Sequence, residues 1–328
     1  MKCWIQADGR IEIGSSEPLT PTEGECVFSV KACGICGSDL PRVFGGASYY
    51  YPIVLGHEFA GVVKESTRPE LVGRRACIFP ILPCGNCEFC KKEQWANCVS
   101  YSYYGSRRNG GMQSDLMMKE SNLVFLPDSV SMEAGAMVEP SAVCLHAMKK
   151  ADLKGGETVL VYGAGTIGLL CAMWARALGA AKVLVSDPDE TRMAFAKDLG
   201  FSAHTGEAAD VTVEASGAGE ALVSAIGNTR AMGRLLLVGH GKRDVVIPHN
   251  VFVQILRKQL TLFGSWNSDF QSTVNDWTDS VSAIADGRIT PEALITHRIP
   301  LSRADEALAI LGERREPYNK MMLVMEEE

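Results

Sequence analysis

The feature that most constrains the fold is a regular alternation of strand-like and helix-like segments between residues 158 and 286. The apolar run Thr158–Tyr162 predicts a strand, which passes through a glycine-rich turn into an apolar helix predicted over 166–178. Such alternation favours a parallel sheet that helices cover on both faces. Further strands are predicted over 182–187, 210–214, 234–239 and 260–264, and further helices over 143–150, 190–199, 220–228 and 273–286.

The turn after the first of these strands carries the pattern Gly-x-Gly-x-x-Gly. Glycines there let the backbone approach a pyrophosphate, and the start of the helix offers free N–H groups at the positive end of its dipole. Asp187 ends the next strand and is placed to bind an adenosine ribose, which favours NAD over NADP. Arg192 keeps NADP open as an alternative, and a purely structural glycine turn is another. The predicted cofactor contacts are Gly163, Gly165, Thr166, Ile167, Gly168, Asp187 and Arg192.

The segment before residue 138 has a different character, because glycine and proline interrupt it closely. Short β-like runs at 1–7, 24–32, 59–64 and 75–80 predict a β-rich, barrel-like domain. The C-terminal segment holds a predicted helix over 303–311 and a closing strand over 321–325.

Charge and composition exclude several classes of protein. The 328 residues include 32 Lys plus Arg and 39 Asp plus Glu, a net charge of −7. Nucleic acids and anionic membranes are held largely by cationic side chains, so we expect neither as a partner. The uncharged stretch 158–175 contains three glycines and is interpreted as strand, turn and helix, not as a membrane span. Polar residues interrupt the N-terminus, which does not resemble a secretory signal, and we expect a cytoplasmic protein.

Four cysteines, Cys84, Cys87, Cys90 and Cys98, lie within fifteen residues. In a reducing compartment this spacing is typical of a metal site, and four thiolates suit tetrahedral Zn²⁺. Four sulfur ligands leave no open position, so we interpret the predicted lobe, about 83–99, as a structural zinc site. An iron–sulfur cluster is the main alternative, and four buried or unpaired cysteines are the other.

A third group of candidate residues comes from separate segments: Cys36 in Cys33-Gly-Ile-Cys36-Gly-Ser-Asp39, His57 and Glu58 in Gly-His-Glu, and Glu139 in Val-Glu-Pro. A thiolate, an imidazole and a carboxylate would give Zn²⁺ three protein ligands and leave one position open, which is what makes zinc catalytic. Spacing alone does not establish this site, because single cysteines and histidines are more often buried than metal-bound.

Together these motifs resemble the zinc-dependent medium-chain dehydrogenases/reductases over essentially the whole chain. Segments 36–42, 50–59, 105–111, 255–258 and 263–266 are most similar to the polyol-dehydrogenase branch. The resemblance implies an α/β fold in which a doubly wound, parallel-sheet Rossmann domain interrupts a GroES-like, β-rich catalytic domain. The implied boundaries are 1–142 with 290–328 for the GroES-like domain and 143–289 for the Rossmann domain, with zinc and cofactor in the cleft between them.

The resemblance also implies roles for the third group. Ser38 corresponds to a hydroxyl that relays the substrate proton, and Cys33 is expected to be structural. Asp39 is expected to accept a hydrogen bond from His57 and fix its tautomer, a turn-capping aspartate being the alternative. The implied ligands of the catalytic zinc are Cys36, His57 and Glu139, with Glu58 as an acid that binds zinc directly or through a water.

The implied reaction is oxidation of a secondary alcohol of a sugar alcohol, free or phosphorylated, to a ketone, with hydride transfer to NAD⁺ and two zinc ions per chain. Sorbitol, ribitol 5-phosphate and L-threonine dehydrogenases are rival types within the family. A zinc-free quinone or enoyl reductase and an inactive NAD-binding protein are rivals outside it. The family suggests a homodimer or homotetramer. The candidate substrate contacts are Tyr50, Arg108, Trp266 and Asn267, for each of which a solvated or packing role is the alternative.

One departure from the usual dinucleotide fold is expected. Only about ten residues separate the helix over 190–199 from the strand over 210–214, where such folds usually have a strand and another helix. We predict that a small strand around 201–204 remains and that the following helix is missing, which trims the adenine side of the cofactor site.

Overall fold

The computed structural model of the protein describes residues 1–241 and 243–326, and the elements below are those of the described residues. The strands are β1 (Lys2–Ile5), β2 (Ile11–Gly14), β3 (Glu25–Ile35), β4 (Glu58–Ser66), β5 (Arg75–Ile78), β6 (Ile81–Leu82), β7 (Ser102–Tyr103), β8 (Asp115–Lys119), β9 (Leu123–Phe125), β10 (Thr158–Tyr162), β11 (Lys182–Ser186), β12 (Ser202–Ala203), β13 (Ala209–Glu214), β14 (Thr229–Leu237), β15 (Thr261–Gly264), β16 (Ile295–Pro300) and β17 (Lys320–Val324). The helices are α1 (Leu40–Phe44), α2 (Met132–Ala136), α3 (Val138–Lys150), α4 (Thr166–Ala177), α5 (Glu190–Asp198), α6 (Gly219–Asn228), α7 (His249–Arg257), α8 (Asp276–Ala285) and α9 (Ala304–Glu313).

The chain forms two compact units. The first contains residues 1–139, 269–287 and 291–328, and the second contains 140–268 and 288–290. Segment 269–287, which includes α8, therefore packs with the first unit, although the sequence assigned it to the Rossmann domain. The domain boundaries given above stay a prediction.

The second unit is built on a six-stranded sheet with the order β12-β11-β10-β13-β14-β15, in which every pair is parallel. This is the strand order of a doubly wound dinucleotide-binding fold. The central strands β10 and β13 are buried along almost their whole length, because helices cover parallel sheets on both faces. The predicted Rossmann-type sheet is confirmed.

The segment between α5 and β13 is short, as predicted. Only the two-residue strand β12, at the edge of the sheet, occupies it, and residues 204–208 form a turn with no helix. His204 closes this turn through a 3.0 Å hydrogen bond between its ring Nε2 and the carbonyl of Glu207. The sheet therefore keeps its third strand and loses the helix that usually follows.

The first unit contains a seven-stranded sheet in which β16, β17, β3, β4, β5 and β9 are neighbours in that order, and β8 also pairs with β3. The closing strand β17 lies antiparallel to β3, with Met321 opposite Ile35, and parallel to β16. The C-terminal segment thus completes a sheet begun near the N-terminus. Its apolar side chains, such as Phe28, Phe59 and Leu323, form one buried core.

Several helices differ from the predicted ones. Helix α3 begins at Val138, five residues earlier than predicted. Pro140 lies in its first turn, where proline is tolerated and does not interrupt the helix. Helices α1, α2 and α7 were not predicted. Helix α8 begins at Asp276, where the side chain of Asn275 accepts hydrogen bonds from the amides of Trp277 and Thr278.

Among the described residues, the structure contains no helix with the length and apolar character needed to cross a membrane.

Candidate active site

The four-cysteine lobe gathers its sulfur atoms around one point. The ligand atoms of Cys84, Cys87, Cys90 and Cys98 all lie within 4.8 Å of one another. The Sγ atoms of Cys84 and Cys90 are 3.8 Å apart, and those of Cys87 and Cys90 are 3.5 Å apart. Tetrahedral zinc with bonds of about 2.3 Å would separate its sulfurs by about 3.8 Å. The donor set therefore fits a structural zinc ion.

Backbone amides prepare this lobe for thiolates. The amide of Cys84 donates to Cys98 Sγ at 3.3 Å, and that of Cys90 donates to Cys87 Sγ at 3.4 Å. Hydrogen bonds from the backbone of Cys90 and Val99 lower the pKa of Cys87 to about 6, whereas burial raises the pKa of Cys90 to about 12. An ion that binds all four sulfurs must displace the proton of Cys90, which is what zinc does to a coordinating thiol.

The second group of metal-binding atoms is assembled by the register of two strands. Gly34 of β3 lies opposite Glu58 of β4, so Cys36, just after β3, meets His57, just before β4. One ligand atom from each of Cys36, His57 and Glu58 lies within 4.8 Å of the others. We call these three residues the Cys36–His57–Glu58 cluster. It lies entirely within the first unit.

Asp39 contacts two residues of the cluster, Cys36 and His57. Its Oδ2 accepts a 3.1 Å hydrogen bond from the amide of Cys36, and its Oδ1 lies 3.6 Å from His57 Nδ1. Both Asp39 Oδ1 and His57 Nδ1 are buried and lack a hydrogen-bond partner among the described residues. Burial opposes the charged imidazole, but Asp39, Cys36 and Glu139 together raise the pKa of His57 to about 10.

These orphaned atoms fit a metal ligand set. A histidine that binds a metal through one ring nitrogen usually donates its other N–H to a carboxylate, and Asp39 lies beside Nδ1. Soft sulfur and imidazole are also ligands that zinc prefers. The residues present therefore fit a zinc ion in the cluster.

Glu58 is engaged by a buried lysine. Lys320 Nζ forms an ion pair with Glu58 Oε2 and donates a 3.1 Å hydrogen bond to the carbonyl of Ile35. Both side chains are almost fully buried. A Cβ at Gly34 would overlap the Glu58 carboxylate and press on the Lys320 side chain, so only glycine leaves room for the pair. No sequence pattern pointed to Lys320, because it comes from the far end of the chain.

Glu139 lies beside the cluster, but its carboxylate is not part of the group of ligand atoms that lie within 4.8 Å of one another. Its Oε1 accepts a 3.3 Å hydrogen bond from Tyr103 Oη, and the Tyr103 ring packs edge-on against His57 at 5.7 Å. Burial raises the pKa of Glu139 to about 7, and the negative charge of Glu58 adds to that effect while His57 opposes it. Tyr103 was not predicted, because His57 and Glu139 are both distant from it in the sequence.

Ser38 is exposed, and its Oγ lies 3.3 Å from Cys36 Sγ. Cys33 is fully buried, and burial raises its pKa well above the usual value. Its thiol donates to the carbonyl of Gly34 at 3.6 Å, which agrees with a structural side chain.

The glycine-rich turn in the second unit has the geometry of a dinucleotide loop. Gly163 has φ of 105°, and a side chain at Gly168 would collide with the carbonyl of Gly163. The turn ends at Gly165, from which α4 begins with Thr166 and Ile167. Asp187 Oδ2 accepts a 2.8 Å hydrogen bond from the amide of Ala164, and Arg192 Nη1 lies 3.9 Å from the same oxygen. The turn, Asp187 and Arg192 are thus brought together.

The four candidate substrate residues fall into two groups. Tyr50 and Arg108 line one cavity of the first unit, apart from the atoms of the cluster. Trp266 and Asn267 belong to the second unit, where Trp266 is 57% exposed with its ring 6.3 Å from that of His240.

Comparison with known proteins identifies the family. Residues 22–128 match the alcohol dehydrogenase GroES-like domain, and residues 166–286 match the zinc-binding dehydrogenase family. The galactitol 1-phosphate 5-dehydrogenase of Escherichia coli K12 is 31% identical over 97% of each chain. The sorbitol dehydrogenase of Bombyx mori is 32% identical over 87% of this chain and 88% of its own.

Solved structures agree. The crystal structure of galactitol-1-phosphate dehydrogenase from E. coli has a TM-score of 0.90 and 31% identity, covering 98% of this chain and 99% of its own. A zinc-binding dehydrogenase from Sinorhizobium meliloti bound to NADP (26% identity) and a short chain alcohol dehydrogenase from E. coli CFT073 complexed with NADH (25% identity) each have a TM-score of 0.88 and cover 98% of both chains.

The chain is therefore a zinc-binding oxidoreductase of the medium-chain dehydrogenase/reductase family, with GroES-like and Rossmann-type folds. Within that family it belongs with the polyol dehydrogenases.

Proposed function

We propose that this enzyme oxidises a secondary hydroxyl of a polyol phosphate to a ketone and transfers the hydride to NAD⁺. Galactitol 1-phosphate, giving tagatose 6-phosphate, is the proposed substrate. The observation that carries the proposal is the convergence of Cys36, His57 and Glu58 in one buried cluster, in a chain similar to polyol dehydrogenases throughout its length. The carbinol loses one hydride to NAD⁺ and one proton to solvent, so the reaction balances.

The proposed zinc ligands are Cys36, His57 and the carboxylate of Glu139, with Glu58 held by Lys320 as an additional acid. When bound, zinc acts as a Lewis acid that lowers the pKa of a hydroxyl group. Asp39, whose Oδ1 lies 3.6 Å from His57 Nδ1, would keep the proton on that nitrogen and leave Nε2 as the ligand. Ser38 is exposed beside Cys36 and would accept the substrate proton and pass it to solvent.

The glycine-rich turn and the first residues of α4 would bind the pyrophosphate of the cofactor, and Asp187 would bind the adenosine ribose. We propose NAD because the Asp187 carboxylate would repel a 2′-phosphate. Arg192, at 3.9 Å from that carboxylate, is the specific observation that favours NADP as the second candidate. Trp266 and Asn267 remain proposed substrate contacts from the second unit.

A homodimer formed through the edge of the six-stranded sheet is also proposed. Strand β15 ends the sheet order, and Leu262 on it and Leu256 on α7 are exposed apolar side chains. A cytoplasmic location is proposed because four metal-binding thiols need a reducing compartment. The proposed dimer is tested by light scattering of the wild-type chain and of the Leu262→Lys variant, which we expect to be monomeric.

The activity test measures NADH formation with galactitol 1-phosphate, galactitol, sorbitol, ribitol 5-phosphate and L-threonine, with and without a chelator. We expect the highest kcat/KM for galactitol 1-phosphate and loss of activity after prolonged chelation. A higher kcat/KM for sorbitol or L-threonine would identify that compound as the substrate in place of galactitol 1-phosphate. Full activity in enzyme shown to be zinc-free would overturn the proposed mechanism.

A further inference from the structure

A cavity of about 280 Å³ in the first unit is lined by cationic and polar side chains. Lys2 and Arg108 line it together with Tyr50, Tyr104 and Asn109, and we call it the Arg108 pocket. Lys2 faces Gln113 across an isolated antiparallel bridge, so the N-terminal strand forms one wall. The volume is just below the usual range for small-molecule sites and suits a small anion.

The pocket has an excess of positive charge. Neither Lys2 nor Arg108 makes an ion pair with any residue that the structure describes. Burial raises the pKa of the Tyr50 and Tyr104 hydroxyls, and the charge of Arg108 opposes that rise, so the guanidinium lies near both rings. The acid that Arg108 also influences, Glu25, is already paired with Lys119 at 2.9 Å. The pocket is therefore locally positive, although the chain as a whole has a net charge of −7.

Hydrogen-bond donors point to the same ligand chemistry. Tyr104 Oη accepts a 3.0 Å hydrogen bond from the amide of Lys119, which leaves its own proton to donate. Asn109 Oδ1 accepts from the amide of Val54 at 3.1 Å and from Tyr50 Oη at 3.4 Å. The Asn109 amide nitrogen is therefore free to donate. Two cations with neutral donors between them match the acceptor oxygens of a phosphate group.

The pocket is separate from the Cys36–His57–Glu58 cluster. Leu116 and Met117, which line it, lie opposite Phe28 and Val27 of β3, whereas Glu58 lies opposite Gly34. Six or seven residues of extended strand span about 20 Å, which separates this wall of the pocket from Glu58. None of the residues that line the pocket belongs to the cluster.

The two adjacent tyrosines of this region mark the same division. Tyr103 contacts His57 and Glu139, while the next residue, Tyr104, lines the Arg108 pocket. Successive side chains of an extended segment point to opposite sides. The loop that follows them, 105–111, carries Arg108 and Asn109.

We propose that the Arg108 pocket is a second, noncatalytic site that binds a phosphate group. Arg108 and Tyr50, the candidate substrate contacts of the first unit, would then bind a phosphate away from the carbinol that is oxidised. The ligand is either free phosphate or the phosphate of a second polyol phosphate molecule. This inference does not depend on which polyol the enzyme oxidises.

The binding test titrates inorganic phosphate into the zinc-loaded full chain by calorimetry and ³¹P NMR. We expect saturable binding that Arg108→Gln weakens about tenfold or more and Lys2→Gln weakens less, because each removes one charge-assisted contact. Arg68→Gln is the matched control, since Arg68 is exposed in the same unit but paired with Glu70. Circular dichroism establishes that each variant is folded. Absence of saturable binding in the wild-type chain, or equal affinity in Arg108→Gln, overturns the proposal.

The kinetic test compares KM for galactitol 1-phosphate with KM for galactitol in the wild-type and Arg108→Gln enzymes. An unchanged ratio supports a separate site. A rise confined to the phosphorylated substrate overturns it, because Arg108 would then bind the reacting molecule. The binding test needs no turnover, so failure of the proposed activity does not affect its outcome. Galactitol 1-phosphate titrated in place of phosphate distinguishes the two sources of the ligand.

Discussion

The two groups of metal-binding residues in the first unit differ in how their ligands are brought together. In the four-cysteine lobe all ligands come from one loop of fifteen residues, and backbone amides of that loop bind the sulfurs. In the Cys36–His57–Glu58 cluster the three residues come from the adjacent ends of two strands, with Asp39 close to Cys36 in the chain and Lys320 from a distant strand beside them. The lobe is a local structure that would saturate a metal ion, whereas the cluster depends on the pairing of distant strands.

The largest effect is expected for Cys36→Ala or His57→Ala. Each should reduce turnover to background, because it removes a ligand of the catalytic metal. The zinc content should fall from two ions to one per chain, while the lobe keeps its ion. Steady-state kinetics and elemental analysis measure both quantities. Full activity with one zinc per chain would show that the cluster is not catalytic.

Lys320→Met tests the claim that the cluster depends on distant parts of the sheet. Removing one partner of a buried ion pair leaves Glu58 uncompensated, and we expect a loss of about 3–5 kcal/mol in the free energy of unfolding. Chemical denaturation measures it. The double variant Glu58→Gln with Lys320→Met should recover much of the loss. A loss below about 1 kcal/mol in Lys320→Met would contradict a buried, charged pair.

Cys90→Ser tests the local character of the lobe. One zinc ion should be lost and the catalytic one retained, and the melting temperature should fall by about 5–10 °C if the loss is near 3 kcal/mol. Differential scanning fluorimetry and zinc analysis measure this. Loss of both ions would show that the two sites are not independent.

The same variant should loosen segment 270–277. Glu93 of the lobe accepts 2.8 Å hydrogen bonds from the amide and hydroxyl of Ser272, and Trp95 packs on Phe270 at 5.9 Å. Hydrogen exchange of that segment should therefore rise in Cys90→Ser and, more weakly, in Glu93→Gln. Glu88→Gln, an exposed glutamate of the same lobe, serves as the matched control.

Asp39→Asn is expected to have the smallest effect. It removes the carboxylate beside His57 Nδ1, and loss of such a partner typically lowers metal affinity about 10- to 100-fold. Competition with a chromophoric chelator measures the affinity of the catalytic site. The lobe should be unaffected, which provides an internal control. Unchanged affinity would mean that Asp39 merely caps the turn before α1.

Much of the second unit was predictable because its signals are periodic and local. The strands β10, β11 and β13 and the helices α4 and α5 lie close to the predicted segments. Helix α7 was missed although Val251, Phe252, Ile255 and Leu256 follow a helical spacing. Several of these side chains are exposed or half-buried, so they contribute little to a core that would mark the segment as an amphipathic helix.

The sequence by itself determined the features that depend on neighbouring residues: the four-cysteine lobe and the glycine-rich turn. Chain connectivity keeps such residues together whatever the rest of the fold does. Only the tertiary structure decided that Lys320 pairs with Glu58, that Tyr103 packs on His57, and that Arg108 lies in a pocket of its own. Those contacts follow from strand order and register, and no residue's own chemistry specifies which distant residue the sheet will place beside it.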